Sequence, residues 1–510
     1  VTAAGALVAR GPHRWGWLRT VILLGLALGF TGALMVAILR FVDEPSIMLA
    51  AVIPVVVALA VGAFVIPVHM IPALVVAAIA LVPTRFIPGA SPFNALPALA
   101  LVMGVWVFRR VVLAQTPKGA ELLPPLTRVG PRLAVYATGV LLAAWIAFSM
   151  LRAGLTDTTI GWSTAFIVSV LLPLVVFDAR IEMRLMRTVL LVVGAITGAN
   201  IVLQLVTNGP ALYGLLSVGG DFSFHVFRPQ GPFNHPLFAG AFLTIPALIG
   251  IGQWLTTGKW WPLLAGITAA AGVVSTVSRS SIGAVGIALG VAVVVAPFFL
   301  GWAHLKRWFL LVALGAVGAI AVLNFQPLID RSSSLESELS AGVREQAVPL
   351  ALSAAQYAHW MGTGPGTSGE TARLFGTIII ENSMLQLIIS LGIPGLILFV
   401  AFLGSLIWCA WARGDLGVGL AVIGYTVAIT GFNSLDAVRN MHILIGLLVL
   451  LAVHSSTSPR LAEPAPTDLL DVSRLDTALA GTARRDPAPA ETARLVSAPF
   501  HERAVDRVTV

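Results

Sequence analysis

The sequence predicts an all-α polytopic membrane protein, and three observations carry that prediction. Of 510 residues, 57% are hydrophobic and 11% charged, with a mean hydropathy of +0.93. A soluble core of this size needs far more polar surface. The apolar residues fall into about fourteen stretches near the roughly 20 residues that a helix needs to cross a hydrocarbon core about 30 Å thick. The Lys and Arg residues between these stretches are unevenly shared between alternate connections, as the positive-inside rule requires.

In chain order, the predicted spans cover 20–39, 46–66, 68–82, 94–113, 131–151, 162–178, 188–206, 235–255, 260–277, 281–300, 308–325, 383–411, 417–434 and 441–454. The third and the last are short, which suits a tilted, re-entrant or interfacial element and gives a total of twelve to fourteen. The first run is long and lacks a small-residue cleavage pattern, so it is expected to remain as a signal anchor. With the N-terminus inside, fifteen basic residues, from Arg10 to Arg413, lie at cytoplasmic ends and loops. Seven more lie in the C-terminal tail, and nine lie outside: Arg40, Arg85, Arg152, Arg228, Arg279, Arg331, Arg344, Arg373 and Arg439. The bias favours this orientation in a cytoplasmic membrane. Three lysines against 28 arginines, with abundant Ala, Val and Gly, point to a GC-rich bacterial genome.

Residues 1–454 are thus expected to form one transmembrane domain with two long extracytoplasmic loops, at about 207–234 and 326–382. The second is long enough to hold short helices of its own. Within it, Val343, Ala347, Leu350, Ala351, Ala354 and Ala355 share one helical face, which suits a helix lying on the membrane or over a cavity. The Gly-rich GTGPGTSG string at 362–369 reads as a turn, because it lacks the Lys of a phosphate loop. From 455 to 510 the chain is rich in Pro, Ala, Thr and mixed charge, and is expected to be a disordered cytoplasmic tail. The single cysteine, Cys409, excludes a disulfide framework and a CxxC metal or redox site. Membrane lipids are expected partners; nucleic acid is not.

The chemical signal lies in the outward arginines, because basic residues are disfavoured on that side. Four strings hold it: FRPQGPFNHP at 227–236, STVSRSS at 275–281, VREQAVPLAL followed by GTGPGTSG, and ENSMLQLIISLGIPGLILF at 381–399. The planar, permanently charged fork of arginine suits bidentate contact with phosphate. Bland readings stand beside this one. Arg279 could snorkel from a helix end, Arg228 could anchor the turn at Pro229 and Gly231, and Arg344 could pair with Glu345. Arg331 and Arg373 carry a weaker signal and are left out of the site. Glu381 could act as a general base or stand as a helix-entry residue, since Asn382 or Ser383 can cap the following span. His359, His225 and His235 compete for the role of base. His235 could equally be a polar contact at the start of its span. No metal-ligand spacing of His and Asp is visible on the outer side.

Taken together over about 190–410, the strings resemble the O-antigen ligase and O-antigen polymerase family of lipid-linked glycan transferases. The features that carry the resemblance are Arg228-x-x-Gly231 before a span, Ser278-Arg279 at the end of one, and Asn382-x-x-Leu385 followed by Gly392-x-x-Gly395. Glu381 stands where that family usually has histidine. The resemblance implies a GT-C-like helical fold and an inverting, metal-independent, cofactor-free transfer from a polyprenyl diphosphate-linked glycan donor to an acceptor hydroxyl on a glycan or lipid. It further implies that Arg228, Arg279 and Arg344 bind the diphosphate, that Glu381 is catalytic, and that His235, His359 and Asn382 contact substrate or supply the base. A polymerase of lipid-linked repeats would use the same site. A lipid-linked glycan flippase is the alternative from another class, and is expected to carry charged groups deep within its spans.

Overall fold

A computed structural model describes residues 62, 66–81, 95–114, 130–176, 179–209, 221–223, 226–233, 235–300, 305–333, 335–376, 380–436 and 441–454. The expected span at 20–39, nearly all of that at 46–66, and the expected tail lie outside the described residues. The other twelve expected spans each coincide with a helix. These are α1 (Ile71–Leu81), α2 (Ala95–Ala114), α3 (Gly130–Ala153), α4 (Asp157–Phe166), α5 (Arg180–Thr207), α6 (Pro236–Thr257), α7 (Trp260–Ser275), α8 (Arg279–Leu300), α9 (Leu305–Leu323), α13 (Ser383–Ala412), α14 (Leu416–Ile429) and α15 (His442–His454). Between α9 and α13 the long connection holds three more, α10 (Gln326–Ser332), α11 (Leu335–Tyr357) and α12 (Ser368–Phe375). Seven helices, counting α4 with its continuation to Val175, are long and apolar enough to cross a membrane, and the protein is a helical polytopic membrane protein.

Helix α6 is the centre of the bundle, with 89% of its most apolar stretch buried, against 6% for the peripheral α9. It packs against α5, α7, α8 and α14. Small residues permit this, because in a bundle without a hydrophobic drive between helices, backbones gain by close approach. A side chain at Gly252 would strike the backbone of Gly417 in α14, and one at Gly250 would meet Pro262 and Gly266 in α7. The helix starts at Pro236 behind the N-cap His235 and stops at Gly258, whose φ of 76° is the left-handed conformation that terminates helices. Helices α14 and α15 are short, roughly 20 Å each at 1.5 Å per residue, and nearly all their side chains are buried by other helices.

Arginines staple one end of the bundle. Arg132 at the start of α3 and Arg413 at the end of α13 both donate to the Val453 carbonyl at the end of α15. Arg307 donates to the Leu255 carbonyl at the end of α6 at 3.0 Å, and Arg110 pairs with Glu182 at 3.0 Å. Cations at helix C-termini meet carbonyls that the helix itself leaves unbonded. Buried Arg187 pairs with Asp415, whose other oxygen caps α14 by accepting from the Val418 amide at 3.2 Å. Breaking a buried pair by removing one partner costs about 3–5 kcal/mol. Asp415→Ala should therefore lower the thermal unfolding temperature in detergent markedly; an unchanged transition would show that the pair does not stabilise the bundle.

At the opposite end lie the long connections. The first contains a small antiparallel hairpin, β1 (Asp221–Ser223) and β2 (Val226–Arg228), paired Asp221 to Arg228. In the second, α11 buries Ala347, Ala351, Ala354 and Ala355 along the expected face and packs on the first part of α13. The expected single span at 383–411 is divided at Gly392, where φ is 74°. Thirty residues of straight helix measure about 45 Å, too long for a bilayer core. The twenty residues after the break measure about 30 Å. Gly392 lies against Trp360, Met361 and Gly362, where a Cβ would collide, and the Ile393 amide donates to the Trp360 carbonyl at 2.9 Å. The string at 362–369 is a packing turn, with positive φ at Gly362, Gly364 and Gly366.

Sidedness can be read directly. Gly369 is exposed, with nothing within 4 Å of an added Cβ, whereas Lys259 is exposed at the stapled end. With the native Cys409 buried, Gly369→Cys should react with an impermeant thiol reagent from outside, and Lys259→Cys only after lysis. The reverse pattern would overturn the orientation.

Candidate functional site

The turn between α7 and α8 carries the first motif residue. Thr276 Oγ1 donates to the Val273 carbonyl at 2.7 Å and accepts from the Ser278 amide at 3.3 Å. Ser278 Oγ then reaches the Ser281 amide at 3.4 Å, in the manner of a helix cap. Arg279, half-buried, is the first residue of α8. A cation there opposes the helix dipole, so this is a position chosen against helix stability. A helix N-terminus carries partial positive charge of its own, so a cation at its first residue adds to the positive potential there.

Arg228 ends β2 and is 5% exposed. The turn that follows is docked on α5. The Gly231 amide donates to Gln204 Oε1 at 3.0 Å, and a Cβ at Gly231 would press on Ile201. Phe233 then packs on Phe242 with ring centroids 5.0 Å apart. His235 Nδ1 accepts from the Leu237 amide at 3.3 Å, which assigns the ring proton of neutral His235 to Nε2. In that tautomer Nε2 is a donor and not an acceptor.

Phe432, just beyond α14, links the motifs. Its ring meets Phe238 edge-on at 5.3 Å, and Phe238 in turn lies tilted against His235 with ring centroids 4.9 Å apart. Its carbonyl accepts from Ser383 Oγ at 2.8 Å, and Ser383 Oγ lies 2.9 Å from Ser434 Oγ. The preceding Gly431 abuts Ser280, where a Cβ would collide. The start of α13 is thereby held beside the turn that presents Arg279. There Asn382 caps the helix, its Oδ1 accepting from the Met384 amide at 2.9 Å and the Leu385 amide at 3.2 Å. That leaves its amide nitrogen as the group able to donate elsewhere.

Glu381, immediately before the cap, pairs with Arg344 of α11 at 3.9 Å, the two side chains being 41% and 46% exposed. An exposed pair of this length contributes little to stability. His359 stands apart. It lies on the exposed C-terminal turn of α11 with φ of 51°. The adjoining residues 360–364 are bonded to Ile389, Ser390 and Ile393, on the order of 15 Å along α13 from its cap at 1.5 Å per residue. His225 lies outside the described residues.

The structure thus brings Arg279, His235, Asn382, Glu381 and Arg344 around one end of the bundle, and Arg228 joins them through α10, which packs on β2. Arg373 is exposed in the last turn of α12, where it complements the helix dipole. Two contributors lie outside the predicted site, Phe432 with no signal in the sequence and Arg331 with a weak one. Phe432 sits in an unremarkable apolar run, and Arg331, buried at 7% exposure, donates to the Val277 carbonyl. Neither has a spacing signal. Among the described residues no three His, Cys, Asp or Glu side chains stand close enough to hold a metal ion. No family model matches this chain, and no curated protein matches it.

Proposed function

We propose that the protein is a membrane glycosyltransferase that moves a glycan from a polyprenyl diphosphate carrier to an acceptor hydroxyl on the extracytoplasmic face of a bacterial cytoplasmic membrane, as an O-antigen ligase does. The observation that carries this reading is the tie through Phe432 and Gly431, which sets the entry of α13, with Asn382 and Glu381, beside Arg279. Arg228 and Arg279 hold the diphosphate. Arg344 exchanges its partner Glu381 for a phosphate oxygen, and the released carboxylate accepts the proton of the acceptor hydroxyl. The acceptor oxygen bonds to the anomeric carbon as the bond from that carbon to the diphosphate breaks, with inversion. The negative charge that appears on polyprenyl diphosphate is met by fixed cations.

A transporter would be expected to carry charges deep within its spans. Among the described residues, the charged side chains of the spanning helices gather towards the helix ends, and the buried mid-span polar residues Thr197, Asn200 and Thr244 are neutral. A polymerase would use the same groups with a second lipid-linked glycan as acceptor. The test is transfer by the purified protein, given a polyprenyl diphosphate glycan and candidate acceptors, with and without chelator. The expected result is an inverted linkage whose rate a chelator leaves unchanged. Movement of the donor between leaflets of a proteoliposome without any transfer would replace this reading with a transporter.

A further inference from the structure

Val277 is the β-branched residue with positive φ among the described residues, at 52°, and it is fully buried. Such a backbone is a marked outlier for valine and persists only where the surroundings over-determine it. Its amide donates to the Val274 carbonyl at 3.0 Å, and its carbonyl accepts from the buried guanidinium of Arg331. Two residues further on is Arg279. Arg331 belongs to α10, which also packs on β2, the strand that ends in Arg228. One short helix of the second long connection therefore bridges the supports of both motif arginines.

We propose that Arg331 is a positioning residue. From the long connection it holds the strained Val277 turn in place and so aims Arg279 at the donor diphosphate. The assignment rests on the proposed diphosphate role of Arg279. Without Arg331, valine relaxes towards negative φ, the turn re-forms and Arg279 leaves its position. Glycine populates positive φ without penalty, so Val277→Gly in the Arg331→Ala background removes the need for the clamp.

The test uses full-length protein in detergent or nanodiscs, with polyprenyl diphosphate lacking a glycan as the probe. Arg331→Ala should weaken probe binding by about tenfold or more, the scale of a lost charged hydrogen bond, and leave the acceptor KM unchanged. It should also speed hydrogen exchange of the amides from Val277 to Ser281. Arg331→Lys should recover part of the affinity, and also serves if the alanine variant fails to fold. Arg331→Ala with Val277→Gly should bring affinity to within about threefold of the unsubstituted protein. Weakened binding with unaltered exchange and no rescue by glycine would overturn the proposal and make Arg331 a direct diphosphate ligand. If the unsubstituted protein binds no polyprenyl diphosphate, the diphosphate reading fails, and the exchange result alone decides whether Arg331 holds the turn.

Discussion

Replacing Arg228 or Arg279 with alanine should reduce glycan transfer by at least about 10²-fold, the loss seen when one preorganised donor to a developing anion is removed. Each should leave the protein inserted and folded. Arg228 is nearly buried at the end of β2 and Arg279 opens α8, and neither is among the arginines that staple helix ends at the opposite end of the bundle. Lysine at either place should restore only part of the activity, since an ammonium cannot reproduce the bidentate fork. The check is transfer rate beside thermal unfolding. If an alanine variant with unchanged unfolding transfers at the normal rate, that arginine is an anchor for its turn and no more.

Glu381→Gln should collapse transfer while polyprenyl diphosphate still binds. Glutamine keeps the shape and much of the hydrogen bonding but has no basic oxygen, and the N-cap belongs to Asn382, so the substitution leaves the helix start intact. Glu381→His should retain some turnover, since imidazole can take a proton from the same position. His359→Ala should stay near normal, because His359 sits beside the Gly392 break, far along α13 from Glu381. A near-normal glutamine variant together with an inactive His359→Ala would transfer the role of base to His359.

Most of the fold was legible because helix length against bilayer thickness is a strong physical constraint. The expected spans within the described residues coincide with helices, seven of which are long and apolar enough to cross a membrane, and the apolar face of α11 follows its 3.6-residue period. What escaped were features of backbone approach. The break at Gly392 follows from the crossing of residues 360–362, and the hairpin at 221–228 is too short to give a periodic signal. At the site, the motif arginines and the Asn382 cap were visible as residue types at helix boundaries. Their assembly was not, because it runs through Phe432, Gly431 and the Ser383 hydroxyl, contacts between distant elements that no local spacing signals. Arg331 carries only a weak signal in the sequence, as one of nine outward arginines, and stands outside the predicted site. Only its burial and its bond to the strained Val277 distinguish it, and neither can be read from neighbouring letters.

The most direct measurement is a structure of the protein with bound polyprenyl diphosphate in a lipid environment. The diphosphate should lie between the guanidinium groups of Arg228 and Arg279, with Arg344 turned from Glu381 towards a phosphate oxygen and the prenyl chain descending among the spanning helices. Diphosphate density elsewhere, or Arg228 and Arg279 each facing a separate compartment, would contradict a shared donor site at this end of the bundle.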